Sequence, residues 1–364
     1  MSDFLSQFMT GSLKTRIPYV SRTDWHLFSR RSGYTLVELL VVVGIIGLVA
    51  SITIPAVQAA REAARRATCG NNLRQLGLAL HGYNATYSVF PSACGMPNFE
   101  GLNPYYMKQY SVLTQVLPNL DERALYDQLN FDASVEDYYL EPPPDGLGSN
   151  PNFTVMSTRL GVALCPSDAG GGASGWGGGV NYRVNLGIDR WPTLLDSPFN
   201  GPIMSYRCSP PSATSDGLSQ TIMLGEKLRG TAGGARPNPR TAMFKGGAGL
   251  PFSAEESLSK CRDRRDAASG FYTTSGLSWF IGTLGHTCYN HVISPNAPDP
   301  DCVLPSGNPI SGLIGARSNH PSGVQAMMAD GSVRFMSSSI QPNVWRALGT
   351  RGANDIASGE GQHQ

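Results

Sequence analysis

Residues 30–38 read Arg30-Arg31-Ser32-Gly33-Tyr34-Thr35-Leu36-Val37-Glu38, and a long apolar run follows at once. The junction sets two cations, a small residue and an aromatic against a stretch suited to lipid. From Tyr34 to Ala60 only Glu38 is charged. At about 1.5 Å rise per helical residue, such a stretch crosses a hydrocarbon core of roughly 30 Å. A carboxylate left unpaired at the edge of that segment costs about 2–3 kcal/mol or more, which makes Glu38 a candidate functional residue.

Beyond Pro55 the pattern changes. Pro55 removes one backbone donor, and a kink is expected there. Leu73, Leu76, Leu80 and Tyr83 recur at helical spacing, while Arg61, Glu62, Arg65, Arg66 and Arg74 take other faces. The spacing predicts one long helix over residues 34–84, with a transmembrane half over 36–60 and an amphipathic half packed on a globular head. Gly70-Asn71-Asn72 is a weak interruption. The leucine stripe reads as core rather than as a partner-binding face.

Gly33-Tyr34-Thr35-Leu36-Val37-Glu38 resembles the Gly-Phe-Thr-Leu-x-Glu motif of type IV prepilins, with Tyr in place of Phe. The resemblance implies that a prepilin peptidase cuts between Gly33 and Tyr34 and that Tyr34 is then N-methylated. It implies that Glu38 serves methylation and assembly by neutralising the terminal ammonium of a neighbouring subunit. Opposite charges in a low-dielectric bundle attract strongly, and each is expensive alone. The implied partners are the peptidase, other pilin-like subunits and the lipid bilayer. Two other readings stay open. One is a cleaved export signal, with Ser29-Arg30-Arg31 resembling a twin-arginine signal and Val57-Gln58-Ala59 a tolerable cleavage site. Against it, Gly33 sits where a large apolar residue is expected, and Glu38 is unusual in a signal. The other is a plain membrane anchor.

Residues 1–33, read as a cytoplasmic leader removed on processing, carry Lys14, Arg16, Arg22, Arg30 and Arg31 against Asp3 and Asp24. Cationic segments stay on the cytoplasmic side, so a single-pass protein of the inner membrane is expected, its bulk in the periplasm or at the cell surface. Arg61, Arg65 and Arg66 lie on the other flank and partly oppose this bias. Charged residues are only 15% of the 364-residue chain, and Gly is abundant, which suits a loop-rich, β-leaning head. The formal net charge is +1, leaving about −2 without the leader. No basic stripe with interleaved aromatics suggests nucleic-acid binding. Seven cysteines without a Cys-x-x-Cys pair point to disulfides in an exported domain, with at least one thiol over. Cys261 and Cys302 bracket one aromatic-rich segment and are the candidate pair.

After Phe90-Pro91 the chain turns irregular. Tyr110 to Tyr126 reads as a short packed segment. Glu141-Pro-Pro-Pro-Asp-Gly-Leu-Gly reads as an extended linker or surface loop. The glycine-rich stretch around Trp176 lacks the Gly-Lys-Ser/Thr ending of a phosphate cradle. Asp216-Gly217 precedes the candidate strand Gln220–Glu226. Asp330-Gly331 joins Val324–Met328 to Ser332–Met336 as a hairpin. A short helix at Trp345–Leu348 and a disordered tail over 351–364 close an extracytoplasmic head spanning 85–350.

A second resemblance joins these pieces. His320, followed by Asp330-Gly331, looks like the H-x9-DG signature of a large bacterial family of prepilin-type proteins with a domain of unknown function. Cys69-Gly-Asn-Asn-Leu-Arg-Gln-Leu, Cys165-Pro-Ser-Asp168, Asp216–Glu226 and Tyr289-Asn-His-Val match further parts, covering roughly residues 30–350. The implied fold is α+β and pilin-like: a long N-terminal helix on a loop-rich antiparallel β head. The family implies no reaction. As a structural signature, Asp330 is expected to hold the turn through its side chain and His320 to bond loop backbone. Asp168, Asp216, Glu226 and Asp330 are weak candidates for calcium, since no dense Asp/Asn loop is present. His286, Cys288 and His291 are a weaker metal candidate. No cofactor and no catalytic motif is expected. The functional expectation is a pseudopilin-like subunit in, or capping, a type II secretion or type IV pilus-like filament. The alternative is a membrane-tethered module that binds an extracellular ligand without forming a filament.

Overall fold

In a computed structural model of the chain, the described residues are 34–95, 109–133, 151–170, 177–188, 200–205, 207–231, 238–245, 254–265, 270–303 and 312–352. Gly33, the Glu141–Gly148 linker, most of the glycine-rich loop and the tail from residue 353 lie outside them. The chain divides into two compact units, Met1–Ala56 and Val57–Gln364.

Helix α1 spans Leu36–Tyr87 and runs unbroken through Pro55 and through Gly70-Asn71-Asn72. It ends where Ser88 takes a left-handed φ of 60°, a conformation that cannot continue a right-handed helix. In the first unit its apolar side chains are exposed on every face, from Leu36 and Val37 to Ile52 and Ile54. A segment apolar all round, with no core to bury it, is built for lipid. Among the described residues this is the one helix long and apolar enough to cross a membrane.

The second unit is an α+β head built on two mixed sheets. Its elements are β1 (Cys94–Gly95), β2 (Tyr110–Ser111), α2 (Val112–Val116), α3 (Arg123–Tyr126), α4 (Phe153–Ser157), β3 (Tyr182–Asn185), β4 (Ile222–Glu226) and β5 (Met243–Lys245). There follow α5 (Ala254–Arg265), β6 (Phe271–Tyr272), β7 (Cys288–Tyr289), β8 (Asp301–Val303), β9 (Gly312–Leu313), β10 (Gly323–Met328), β11 (Val333–Ser337) and α6 (Pro342–Ala347). The larger sheet has the order β11-β10-β4-β3-β7, and the smaller β6-β5-β8-β9. Most pairings are antiparallel, as expected of the head, and the expectation is corrected at two: β3 pairs with β7, and β5 with β8, in parallel. Long connections separate both pairs in sequence, which gives the chain length for the crossovers that parallel neighbours need.

Leu73, Leu76 and Leu80, picked out by their spacing, are at most 1% exposed and join the main core with Val184, Leu224 and Met327. The close approach of β10 explains Gly77, where a Cβ would fall 2.5 Å from the Met327 sulfur. The β10–β11 hairpin forms at Asp330-Gly331, with Met327 opposite Val333 and Gly331 at φ 86°. Gly331 lies against the His81 ring of α1. Arg66 stacks its guanidinium 3.3 Å from the Phe335 ring centroid. The hairpin therefore lies along the amphipathic half of α1.

Candidate functional sites: a capped helix terminus and a buried carboxylate–histidine clamp

Thr35 and Glu38 close the N-terminus of α1 reciprocally. The Glu38 N–H donates to Thr35 Oγ1 at 3.2 Å, and the Thr35 N–H donates to Glu38 Oε2 at 2.8 Å. This capping box satisfies orphan donors of the first turn. It also fixes the Glu38 carboxylate one turn from Tyr34, which is exposed.

The second site lies within the head unit. The loop before β10 is stiffened by Ser318, whose hydroxyl donates to the Gly323 carbonyl and accepts from the His320 N–H. The His320 side chain is fully buried. Its Nδ1 lies 2.7 Å from Glu62 Oε1, and its Nε2 lies 3.2 Å from Glu226 Oε1. The expectation that His320 bonds loop backbone is thereby corrected: its ring is clamped between two carboxylates, one on α1 and one on β4. Burial opposes the charged ring, but Glu226 and then Glu62 outweigh it and raise the His320 pKa above its ordinary 6.5. Burial likewise pushes Glu62 up, yet His320 and Arg65 hold it below the usual carboxylate value. The other oxygen of Glu226 accepts from the Gln325 N–H at 2.7 Å.

Two disulfides flank this architecture. Cys69 of α1 is bonded to Cys165, whose sulfur lies 3.6 Å from His320 Nε2. Cys261 is bonded to Cys302, joining α5 to β8.

The carboxylates considered for calcium are otherwise engaged. Asp168 accepts from Gly170 N–H through Oδ1, and from Asn181 Nδ2, Arg229 N and Arg229 Nε through Oδ2. Asp168 is thus held by four donors, and the Glu226 oxygens face the His320 ring and the Gln325 N–H rather than the ring of oxygen ligands that calcium takes. Asp216 lies in the turn before β4, and Asp330 Oδ1 accepts from the Ser332 N–H across the hairpin tip. His320 and Asp330 stand at opposite ends of the hairpin and do not act together.

The His286, Cys288 and His291 group also takes structural form. His291 stacks on Trp345 at 3.9 Å, donates from Nδ1 to the Trp345 carbonyl and accepts at Nε2 from the Tyr289 hydroxyl. A carbonyl can only accept, which fixes the neutral tautomer. Burial pushes the His291 pKa down to about 3, against a smaller upward pull from the Trp345 carbonyl. Burial also pushes the Cys288 thiol up to about 12.

A capped apolar helix that continues into an α+β head defines a precursor of the type IV pilin kind, anchored by one N-terminal span. Residues 28–54 match the prokaryotic N-terminal methylation motif. Residues 58–343 match the family described as "Protein of unknown function (DUF1559)", and the chain belongs to that family. No curated protein and no solved structure matches the chain.

Proposed function

We propose that the chain is a pseudopilin-like structural subunit. Prepilin peptidase cuts between Gly33 and Tyr34, Tyr34 is N-methylated, and the mature protein sits in the inner membrane with its head outside. It enters or caps a filament of the type II secretion or type IV pilus kind. Glu38 then meets the Tyr34 ammonium of a neighbouring subunit, and the apolar faces of residues 36–57 pack against one another. One observation carries this reading: the methylation motif over 28–54 stands on the same unbroken helix, Leu36–Tyr87, whose distal half is core of the head. Intact mass of the mature protein tests it. A chain beginning at methylated Tyr34 is expected, and one beginning at Ala60 sinks the proposal.

A second reading is a membrane-tethered binding module. It is favoured by the size of the second unit, Val57–Gln364, which is far more chain than a filament contact along the apolar helix requires. Glu38→Ala separates the two. Loss of assembly with processing intact supports the subunit; unchanged localisation, partners and phenotype support the tether.

A further inference from the structure

Around His320 the ligand atoms of four buried side chains, Cys69, Cys165, Glu226 and His320, all lie within 4.8 Å of one another. They come from α1, the loop after α4, β4 and the loop before β10, so the tertiary fold alone assembles them. We propose that these four residues form a tetrahedral zinc site when the Cys69–Cys165 disulfide is reduced, so that disulfide and metal are alternative occupants of one position.

Three observations support this. First, two of the six ligand spacings already match tetrahedral coordination, and all six lie within 4.8 Å. Zinc bond lengths near 2.0–2.3 Å require about 3.6 Å between sulfur and nitrogen ligands and about 3.3 Å between nitrogen and oxygen ligands. Cys165 Sγ and His320 Nε2 are 3.6 Å apart, and His320 Nε2 and Glu226 Oε1 are 3.2 Å apart. The two sulfurs must part to about 3.8 Å, a side-chain rotation away. Second, the outer shell that orients a metal-binding histidine is in place. Glu62 Oε1 engages Nδ1 and so presents Nε2 to the site, while the Gln325 N–H anchors the far oxygen of Glu226. Third, the nearby cations are engaged away from the site, since Lys227 and Arg317 share the Asp301 carboxylate. Two thiolates, an imidazole and a carboxylate suit a borderline-soft divalent ion.

The chemistry balances with a reductant. A phosphine or a dithiol supplies two electrons to the sulfur–sulfur bond. The phosphine ends as its oxide, taking the oxygen of a water whose two protons complete the thiols; the dithiol gives up its own two protons and closes to a disulfide. Zinc then displaces both thiol protons, together with the proton shared by Nε2 and Glu226, to solvent.

The test uses the full chain in detergent, before and after phosphine reduction, with Zn²⁺ or Co²⁺ alone as probe. We expect stoichiometric zinc only after reduction, and cobalt spectra with tetrahedral bands and thiolate charge transfer. His320→Ala abolishes that spectrum, Glu62→Gln weakens cobalt binding roughly tenfold, and Cys261→Ala with Cys302→Ala leaves it intact. No zinc uptake by the reduced wild type overturns the proposal. So does uptake that survives Cys69→Ser with Cys165→Ser, which would place the metal on Cys94, Cys208 or Cys288. The wild-type comparison stands whether or not the variants fold, and it is independent of filament assembly.

Discussion

Glu62 Oε1 and His320 Nδ1 meet at 2.7 Å, joining α1 to a loop that begins the last hairpin of the head. From there the hairpin follows the helix, with Arg66 on Phe335, Gly77 under Met327, and His81 beside Gly331. Glu62 and His81 are about 28 Å apart along a helix rising 1.5 Å per residue. Strand from His320 to Gly331 extends at most about 36 Å. The extended chain exceeds the helical distance by roughly 8 Å, slack that the turn at residues 320–322 takes up, so the stretch from His320 to Asp330-Gly331 is long enough to lie along this part of the helix.

The clamp should be lopsided in energy. His320→Ala strands Glu226, whose side chain is only 2% exposed, and should destabilise the oxidised protein by about 3–5 kcal/mol. Glu62→Ala removes a partner that is 20% exposed and should cost about 1 kcal/mol. Urea titration of the two single variants and the double variant measures both values and their coupling. Equal, fully additive losses would contradict the clamp.

Gly77→Ala places a methyl in the Met327 sulfur and should destabilise by about 1–3 kcal/mol. Met327 is flexible, so adding Met327→Ala should recover part of that loss relative to the sum of the two single changes. Thermal melts of the four proteins decide; simple addition would mean the helix and β10 are not in tight contact.

Acid should weaken the head through His291. Its folded-state pKa, pushed down to about 3, lies below the ordinary 6.5, so the unfolded chain takes up the proton first. The His291 contribution is therefore full well above pH 6.5 and declines as pH falls toward 3, by up to about 1.4 kcal/mol per pH unit. His320, with its raised pKa, adds no slope below 6.5, and Glu62, with its lowered pKa, enters only below 4.5. Between pH 6.5 and 5 the wild type should lose about 2 kcal/mol. His291→Gln should be less stable at pH 7 yet nearly flat across that interval; an unchanged slope would assign the loss elsewhere.

Replacing Cys69 and Cys165 together by Ala should cost about 4 kcal/mol, because the bond closes a loop with a sequence separation of 96. Hydrogen exchange should then rise first in the distal half of α1. Protection unchanged there would show that packing alone holds the helix.

Much of this architecture is legible in local pattern. The apolar run and the Leu73, Leu76 and Leu80 stripe mark α1, and Asp330-Gly331 marks the hairpin, because both signals are short-range. The bracketing of an aromatic-rich segment pointed to Cys261 with Cys302, the bond that the structure contains. The clamp was hidden because Glu62, Glu226 and His320 share no spacing rule; only the fold brings them together. Cys69 with Cys165 was hidden for the same reason, one member lying on the helix and the other in a remote loop. The parallel pairing of β3 with β7 was equally silent, since short strands of two to four residues carry too little pattern to reveal a partner.

The alignment of hairpin and helix has a mechanical consequence. A pull along the axis of α1 loads the ion pair, the stacked guanidinium and the glycine contact side by side, like a lap joint rather than a zip. They must yield together instead of in sequence, and the Cys69–Cys165 bond limits how far the two surfaces slide. Drag on the head is thus carried into the helix without peeling the head open from one end.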